Sequence, residues 1–318
     1  MVSVVVAPDG FGGTLTAAEA AAAIAAGWRQ VRPDDELRLR PMSDGGEGLL
    51  AVVGALEDAG RWHDVEVAGP LGHPVDARLL ERPDGSVVIE SAQACGLHLL
   101  EPAQRDPMRT TTYGVGQLLD AARRIGAGRI LVGLGGSATV DGGAGALTGL
   151  GFRLQVADGS GLKIGGDDLH RVARAGRGWA AAFDDVEVVL LADVTTTLAD
   201  AASLFGPQKG ASDTEVVRLR DALERWAEVA QRDLWTTGEP LPAELPGSGA
   251  AGGLGFGLRV GLGARIVAGS AAVGDLIGLD EALTGAAVVL TGEGRLDPTT
   301  TTGKVVTFPD ATIVEQVS

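Results

Sequence analysis

The chain has 318 residues, longer than a usual single domain, and its 45% apolar and 21% charged residues exclude a disordered chain, so two domains are expected. A formal net charge of −16, with no Lys/Arg cluster longer than a dipeptide, makes nucleic acid and anionic membrane poor partners. Cys95 is the single cysteine, so no intramolecular disulfide forms; the start MVSVVVAPDG has no signal-peptide pattern and no apolar run reaches membrane length, which reads as a soluble cytoplasmic protein.

Residues 2–7 form a continuous apolar run of strand length, ended by the turn Pro8-Asp9-Gly10. Phe11, Gly12 and Gly13 continue the loop, Thr14 is placed to cap a helix, and residues 15–31 are rich in helix formers up to Pro33. An extended segment at 36–41 leads into Met42-Ser43-Asp44-Gly45-Gly46-Glu47-Gly48, and a second amphipathic helix runs from there to about residue 59. This β-loop-α-β-loop-α opening is the pattern of a parallel sheet with ligand loops at the carboxyl ends of its strands.

Between residues 61 and 89 the texture changes to short alternating runs with a Pro83-Asp84-Gly85 turn, the pattern of antiparallel hairpins and a domain change near residue 62. A helix begins within 90–97, RDPMRTTT at 105–112 is a polar loop, and a helix covers 116–125. Arg109 with Thr110, Thr111 and Thr112 could bind an anion, although an N-cap cluster explains the threonines equally well.

The densest motif lies at 129–151, RILVGLGGSATVDGGAGALTGLG. A buried strand at 130–134 is followed by Gly135, Gly136, Ser137, Ala138 and Thr139, then Asp141, Gly142, Gly143 and Gly145, then a small-residue helix. Glycines let backbone N–H groups approach a ligand, hydroxyls add donors, and a helix start favours negative charge, so the layout suits phosphate or carboxylate. The plainer alternative is a tight strand-to-helix turn whose glycines serve packing. Asp44-Gly45-Gly46-Glu47-Gly48 and Asp141-Gly142-Gly143-Ala144-Gly145 share the form D-G-G-x-G, either as two helix starts facing one anion or as a coincidence in a chain with 49 glycines.

Residues 152–168 are turn-rich, and 186–192 form a strand ending at Asp193. The loop 205–211 carries Lys209, either a phosphate contact or a solvated surface lysine, and a long amphipathic helix at 214–232 follows. GSGAAGG at 247–253 matches G-x-G-x-x-G, but PAELP precedes it instead of a strand, so a helix-opening turn or close helix packing is preferred to a dinucleotide site. No Walker A motif occurs, since Pro298 stands where the glycine before Gly303-Lys304 would be. The last strand, 288–290, leads to a loop with Gly292, Glu293, Arg295 and Asp297, whose carboxylates can hold Mg²⁺ or take a proton from a hydroxyl. The four histidines, His63, His73, His98 and His170, have no metal-ligand spacing. Glycine loops, scattered carboxylates and a few cations suggest phosphoryl transfer by positioning and charge neutralisation.

Taken together, APDGFGGTLTAAEAA (7–21), SDGGEG (43–48), RDPMRTTTYGVGQLL (105–119), GLGGSATVDGGAGAL (133–147), LFGPQKGAS (204–212), GSGAAGGLG (247–255) and LTGEGRLD (290–297) resemble the bacterial glycerate kinases of the first class, which phosphorylate D-glycerate with ATP. GGSATxDGGxG with FGPQKGA is the most specific pair. The resemblance implies an α/β fold of two α/β domains with the active site between them. One is a Rossmann-like parallel sheet built from both chain ends, 1–62 plus 262–318 and C-terminally truncated relative to the family; the other is an inserted mixed-sheet domain, 63–261. It implies ATP and Mg²⁺ as cofactors, D-glycerate as substrate and 2-phosphoglycerate as product, with 3-phosphoglycerate as the alternative and a homodimer as one possible assembly.

Carried onto this chain, the resemblance puts Asp44, Asp193, Asp297 and Lys209 in catalysis and Asp193 and Glu293 on the metal. It assigns Asp9, Gly45, Gly46, Arg109, Gly135, Gly136, Ser137, Thr139, Asp141, Gly292 and Lys304 to substrate and phosphate. Three departures stand out. The first loop, usually D-S-F-K-G-S, is Asp9-Gly10-Phe11-Gly12-Gly13-Thr14 here. The usual C-D-V-x-N-P-L is Ala192-Asp193-Val194-Thr195-Thr196-Thr197-Leu198, and the usual Gln after Asp297 is Thr299. The rivals are a family member that binds nucleotide or a small hydroxy acid without catalysis, and a kinase for another small hydroxy acid.

Overall fold

Three valines that are wholly removed from solvent, Val4, Val5 and Val6, make β1 (Ser3–Val6) the centre of a small parallel sheet. The computed structural model describes residues 1–163, 165–178, 183–235 and 242–294. Its chain divides into two units, Asp58–Val267 and a unit that combines Met1–Glu57 with the described residues from Ala268 onward.

Helix α1 (Ala17–Val31) starts two residues later than its composition suggests, because Thr16 and not Thr14 caps it. The Thr16 hydroxyl accepts the Glu19 N–H at 3.2 Å and the Glu19 carboxylate accepts the Thr16 N–H at 2.8 Å, a reciprocal capping box. After β2 (Glu36–Leu39) comes α2 (Leu49–Gly54), shorter than the expected helix. Ala55 and Leu56 donate to Val52 and Val53, three residues back, and this tightened turn closes it.

The second unit opens with β3 (Arg61–Ala68) and β4 (Pro74–Glu81), antiparallel over their full length, and β5 (Val87–Glu90), antiparallel to β4. Because β5 runs to Glu90, the helix expected from there is only α3 (Ala92–Cys95), while α4 (Tyr113–Arg124) begins three residues earlier than expected. Strand β6 (Arg129–Gly133) joins β5 in parallel, and α5 (Ala144–Gly149) follows the glycine stretch. The segment expected to be turn-rich holds β7 (Arg153–Val156), which forms a separate antiparallel pair with β8 (Val172–Gly176). Such short strands with one buried face carry little sequence signal.

The chain continues through β9 (Glu187–Leu191), α6 (Leu198–Phe205), α7 (Asp213–Asp233), α8 (Ala250–Leu262) and the three-residue β10 (Arg265–Val267). The six-stranded sheet has the order β10-β9-β6-β5-β4-β3, parallel through its first four strands and antiparallel thereafter. Returning to the first unit, α9 (Gly269–Leu276) and α10 (Leu279–Leu283) lead to β11 (Val288–Leu290), giving the parallel order β11-β1-β2. This is a mixed α/β protein, with one described sheet built from both ends of the chain and one mixed sheet inserted between them. No helix among the described residues is long and apolar enough to cross a membrane.

The core of the second unit is anchored by fully buried Trp226 of α7, edge-on to Phe256 of α8 at 6.2 Å between ring centroids. Its indole N–H donates to the Gly142 carbonyl at 2.9 Å, so α7 fixes the glycine stretch directly. Helices α4 and α5 approach so closely that a Cβ on Gly116 would lie 2.2 Å from the Ala146 carbonyl oxygen. Backbone cannot yield as a flexible side chain does, so Gly116→Ala is expected to destabilise the unit by about 1–3 kcal/mol, read as a lowered urea midpoint at unchanged slope.

Candidate active site

The carboxyl ends of β5, β6 and β9 lie side by side, with Glu90 opposite Gly133 and Gly133 opposite Leu191. Loops leaving such ends are where open α/β sheets bind ligands. The loop after β6 is held on both flanks. Leu134 N–H donates to the Leu191 carbonyl at 3.0 Å, Leu97 N–H to Gly136 at 2.8 Å and Ala138 N–H to Cys95 at 2.7 Å, while Gly96 bridges to Ser137. Among the described residues, the N–H groups of Gly135, Gly136, Ser137 and Thr139 are left without a backbone partner. Donors without a backbone partner beside a turn in the left-handed region, Gly136 having φ +58°, form a geometry that suits an anion.

Lys209 supplies the charge. It sits at the end of the short 3₁₀ turn Pro207–Lys209, only 3% exposed, so the solvated-surface alternative falls away. Its Nζ donates to Ser137 Oγ at 2.9 Å and to the Thr139 carbonyl at 2.7 Å, and it lies 5.6 Å from the Phe205 ring centroid. Burial lowers its pKa from the usual 10.5 to about 8, against the opposing pull of Cys95 and Asp141. Cys95 donates to the Ser91 carbonyl at 3.2 Å, and burial pushes its thiol up to about 12. The buried Thr139 hydroxyl has that thiol as its neighbour and no oxygen or nitrogen partner among the described residues.

Asp141 faces inward. Its carboxylate accepts Thr112 N–H at 2.7 Å, the Thr112 hydroxyl at 2.9 Å, Gly143 N–H at 3.1 Å and Gly145 N–H at 3.3 Å. Burial, the largest influence, raises its pKa, and these donors oppose the rise. Asp141 is therefore engaged by its own chain as a brace for the loop and α5. The threonine run expected on a polar loop is buried for the same reason. Thr110 Oγ1 donates to the Ala138 carbonyl at 2.8 Å and the Thr112 hydroxyl accepts the Ala146 N–H at 2.9 Å, so their hydroxyls are satisfied internally. The capping alternative holds in part: the Thr111 hydroxyl accepts the N–H of Tyr113, the first residue of α4, at 3.1 Å, and Thr112 serves the start of α5, while the run is closed to solvent. Arg109 is exposed and forms no ion pair with a described residue, and Asp193 is half-buried, two residues beyond β9.

In the first unit the loops after β1, β2 and β11 also share one end of a sheet. Asp9 N–H donates to the Gly292 carbonyl at 2.8 Å, Met42 N–H to Pro8 at 2.9 Å, and half-buried Glu293 follows Gly292. Asp44 is exposed and accepts Gly46 N–H at 2.9 Å, beside buried Gly45 and Gly46. A Cβ on Gly269 would meet the Asp44 carbonyl oxygen at 2.0 Å, so α9 packs its start against this D-G-G turn. Asp297 and Lys304 lie outside the described residues. Among those described, no group of three or more His, Cys, Asp or Glu side chains is placed to hold a metal ion. Mg²⁺ is ordinarily held by one or two carboxylates with phosphate oxygens, and Asp193 in the second unit and Glu293 in the first each offer one carboxylate of that chemistry.

Sequence reasoning overlooked the clamp of residues 95–97 on the glycine loop and the tie from Trp226, because both depend on pairings between distant segments. Two measurements check this account. Asp141→Asn turns one acceptor oxygen into a donor and strands a buried N–H, so a loss of about 2–3 kcal/mol in urea unfolding is expected. Cys95 in the folded chain keeps its proton to about pH 12, whereas its ordinary value is 9.0, so the folded state binds the extra proton across that interval and wild-type stability falls as pH rises through it. Cys95→Ala removes this contribution, and its stability relative to wild type is expected to improve between pH 8 and pH 10.5.

The sequence profile of the Glycerate kinase family matches residues 4–309. A protein of Halalkalibacterium halodurans named Glycerate kinase is 41% identical over 310 residues, covering 96% of this chain and 80% of that protein. The Glycerate 2-kinase of Escherichia coli K12 is 39% identical over 310 residues, covering 95% and 79%. A crystal structure from Salmonella typhimurium LT2 described as glycerate kinase 2 superposes with a TM-score of 0.82 at 42% identity, over 96% of this chain and 81% of that one. The fold, the motifs and these likenesses agree: the chain belongs to the glycerate kinase family and is a kinase.

Proposed function

We propose that this kinase transfers the terminal phosphoryl group of ATP, with Mg²⁺, to D-glycerate, giving 2-phosphoglycerate. The observation that carries the reading is the loop 135–139, whose Ser137 hydroxyl and four N–H groups without a backbone partner among the described residues lie beside the buried ammonium of Lys209. Substrate and product are both anions, and a chain of net charge −16 can gather them only where donors are concentrated. The names of the Halalkalibacterium and Escherichia coli relatives support glycerate as acceptor, and the latter supports the 2-position.

Bound Mg·ATP would supply the transferable group and neutralise its charge; the rest is positioning. Ser137 and the N–H groups hold an anionic oxygen, Asp193 and Glu293 are the residues proposed to hold Mg²⁺, and Asp44, Asp193 and Asp297 are the candidates to take the hydroxyl proton. Arg109 and Lys304 are proposed as further positive charge.

One observation favours a second reading, a binder without turnover. The first loop has Gly10, Gly12 and Gly13 and no cation, with Gly12 at φ +52° and Gly13 at φ +81°. A coupled assay with ATP, Mg²⁺ and D-glycerate, followed by ³¹P NMR of the product, separates the readings. Turnover to the 2-phosphate is expected; well-folded protein that binds ATP or glycerate in a calorimeter without forming product would establish the second reading, and a hydroxy-acid panel tests the acceptor. Ser137→Ala, which removes one donor to an anion, is expected to lower kcat/KM by about 10- to 100-fold.

A further inference from the structure

We infer that Lys209 works through Ser137: its amine fixes the Ser137 oxygen as an acceptor and so turns the hydroxyl proton toward the ligand, which makes Ser137 the contact and Lys209 a positioning residue. The inference rests on the anion-cradle reading above and departs from a direct catalytic role for Lys209.

A protonated amine has three N–H donors and accepts nothing. Two of those donors are committed, at 2.9 Å to Ser137 Oγ and 2.7 Å to the Thr139 carbonyl, and the ammonium also lies against the Phe205 ring at 5.6 Å. Lys209 and Ser137 are buried alike, at 3% and 5% exposure, so what separates them is which of their donors are already committed. Ser137 is the complementary case. Its oxygen accepts from Lys209, its proton must go elsewhere, and no described residue takes it. The proton is left to the same loop that carries the unpaired N–H groups of Gly135, Gly136 and Thr139. By bridging positions 137 and 139, one amine also sets the spacing of that loop.

The charged and titratable groups facing Lys209 are Cys95, from α3, and Asp141, from the turn before α5; the thiol keeps its proton to about 12 and the carboxylate is wrapped in its own donors. Loss of the Lys209 proton, near pH 8, gives the amine a lone pair that can accept from Ser137, and the hydroxyl then turns inward. Ligand affinity should fall as pH rises through that value, partly through the lost charge and partly by way of Ser137.

The test is calorimetric titration of D-glycerate and of Mg·ATP into wild type, Ser137→Ala, Lys209→Met and the double variant, at pH 7 and pH 9. Each single variant is expected to weaken the same ligand by about tenfold at pH 7, and the double variant to be within about twofold of the worse single, because both remove one interaction. Wild type should lose affinity at pH 9, and Ser137→Ala should lose clearly less. Losses that multiply in the double variant, or an alkaline loss as large in Ser137→Ala as in wild type, would overturn the inference while leaving the cradle standing. Wild type that binds neither ligand at either pH overturns the cradle reading and the inference together. Should Lys209→Met fail to fold, the pH comparison between wild type and Ser137→Ala decides by itself.

Discussion

One buried carboxylate holds the candidate site in shape. Asp141 gathers donors from Thr112, Gly143 and Gly145, so a single side chain ties the segment before α4 to the turn that starts α5. A carboxylate taken out of water survives only when its oxygens are supplied with donors, and here the backbone supplies most of them. The arrangement explains why Gly142 and Gly143 are needed together at φ +60° and +73°: their left-handed turn brings the Gly143 and Gly145 N–H groups back onto the carboxylate. It also frees the segment just before it, 135–139, from holding the turn itself.

The other half of the design is the ammonium of Lys209, buried in a chain whose net charge is strongly negative. Its burial is costly, as its depressed pKa records, and hydrogen bonds to a hydroxyl and a carbonyl offset part of that cost. Asp141 and Lys209 hold one loop at two points, the first at its end and the second at its middle. Around them Trp226, Thr110 and the 95–97 clamp leave the loop few ways to relax. Such preorganisation suits a reaction in which the protein contributes little covalent chemistry.

Much of this was legible in the residues. The apolar run at 2–7, the glycine stretch after 130–134 and the Pro83-Asp84-Gly85 hairpin turn announced strands and loops in their correct places, because each has a strong local signature. The misjudged parts share a cause. Lys209 read as an even choice between surface and site because nothing within 205–211 reveals that its amine reaches residues 137 and 139. The threonines at 110–112 looked polar and exposed because their partners, Ala138, Asp141 and Ala146, lie about thirty positions on in the chain. Strands β7, β8 and β10 are too short for their alternation to stand out from turns. Local chemistry specifies elements; a site assembled from separate elements becomes visible only when they are paired.

The pairing of β1 with β11 has a consequence for the order in which the chain can mature. Val4 needs Val288 beside it, and β2 covers only its other side, so β1 waits for nearly three hundred residues of synthesis before β11 can join it. The inserted unit, Asp58–Val267, is contiguous and can close its own core before β11 has been made. Until then the wholly buried Val4, Val5 and Val6 have one open flank, an unpaired edge of the kind that recruits wrong partners. Biogenesis, more than the finished fold, is where this architecture is most exposed to failure.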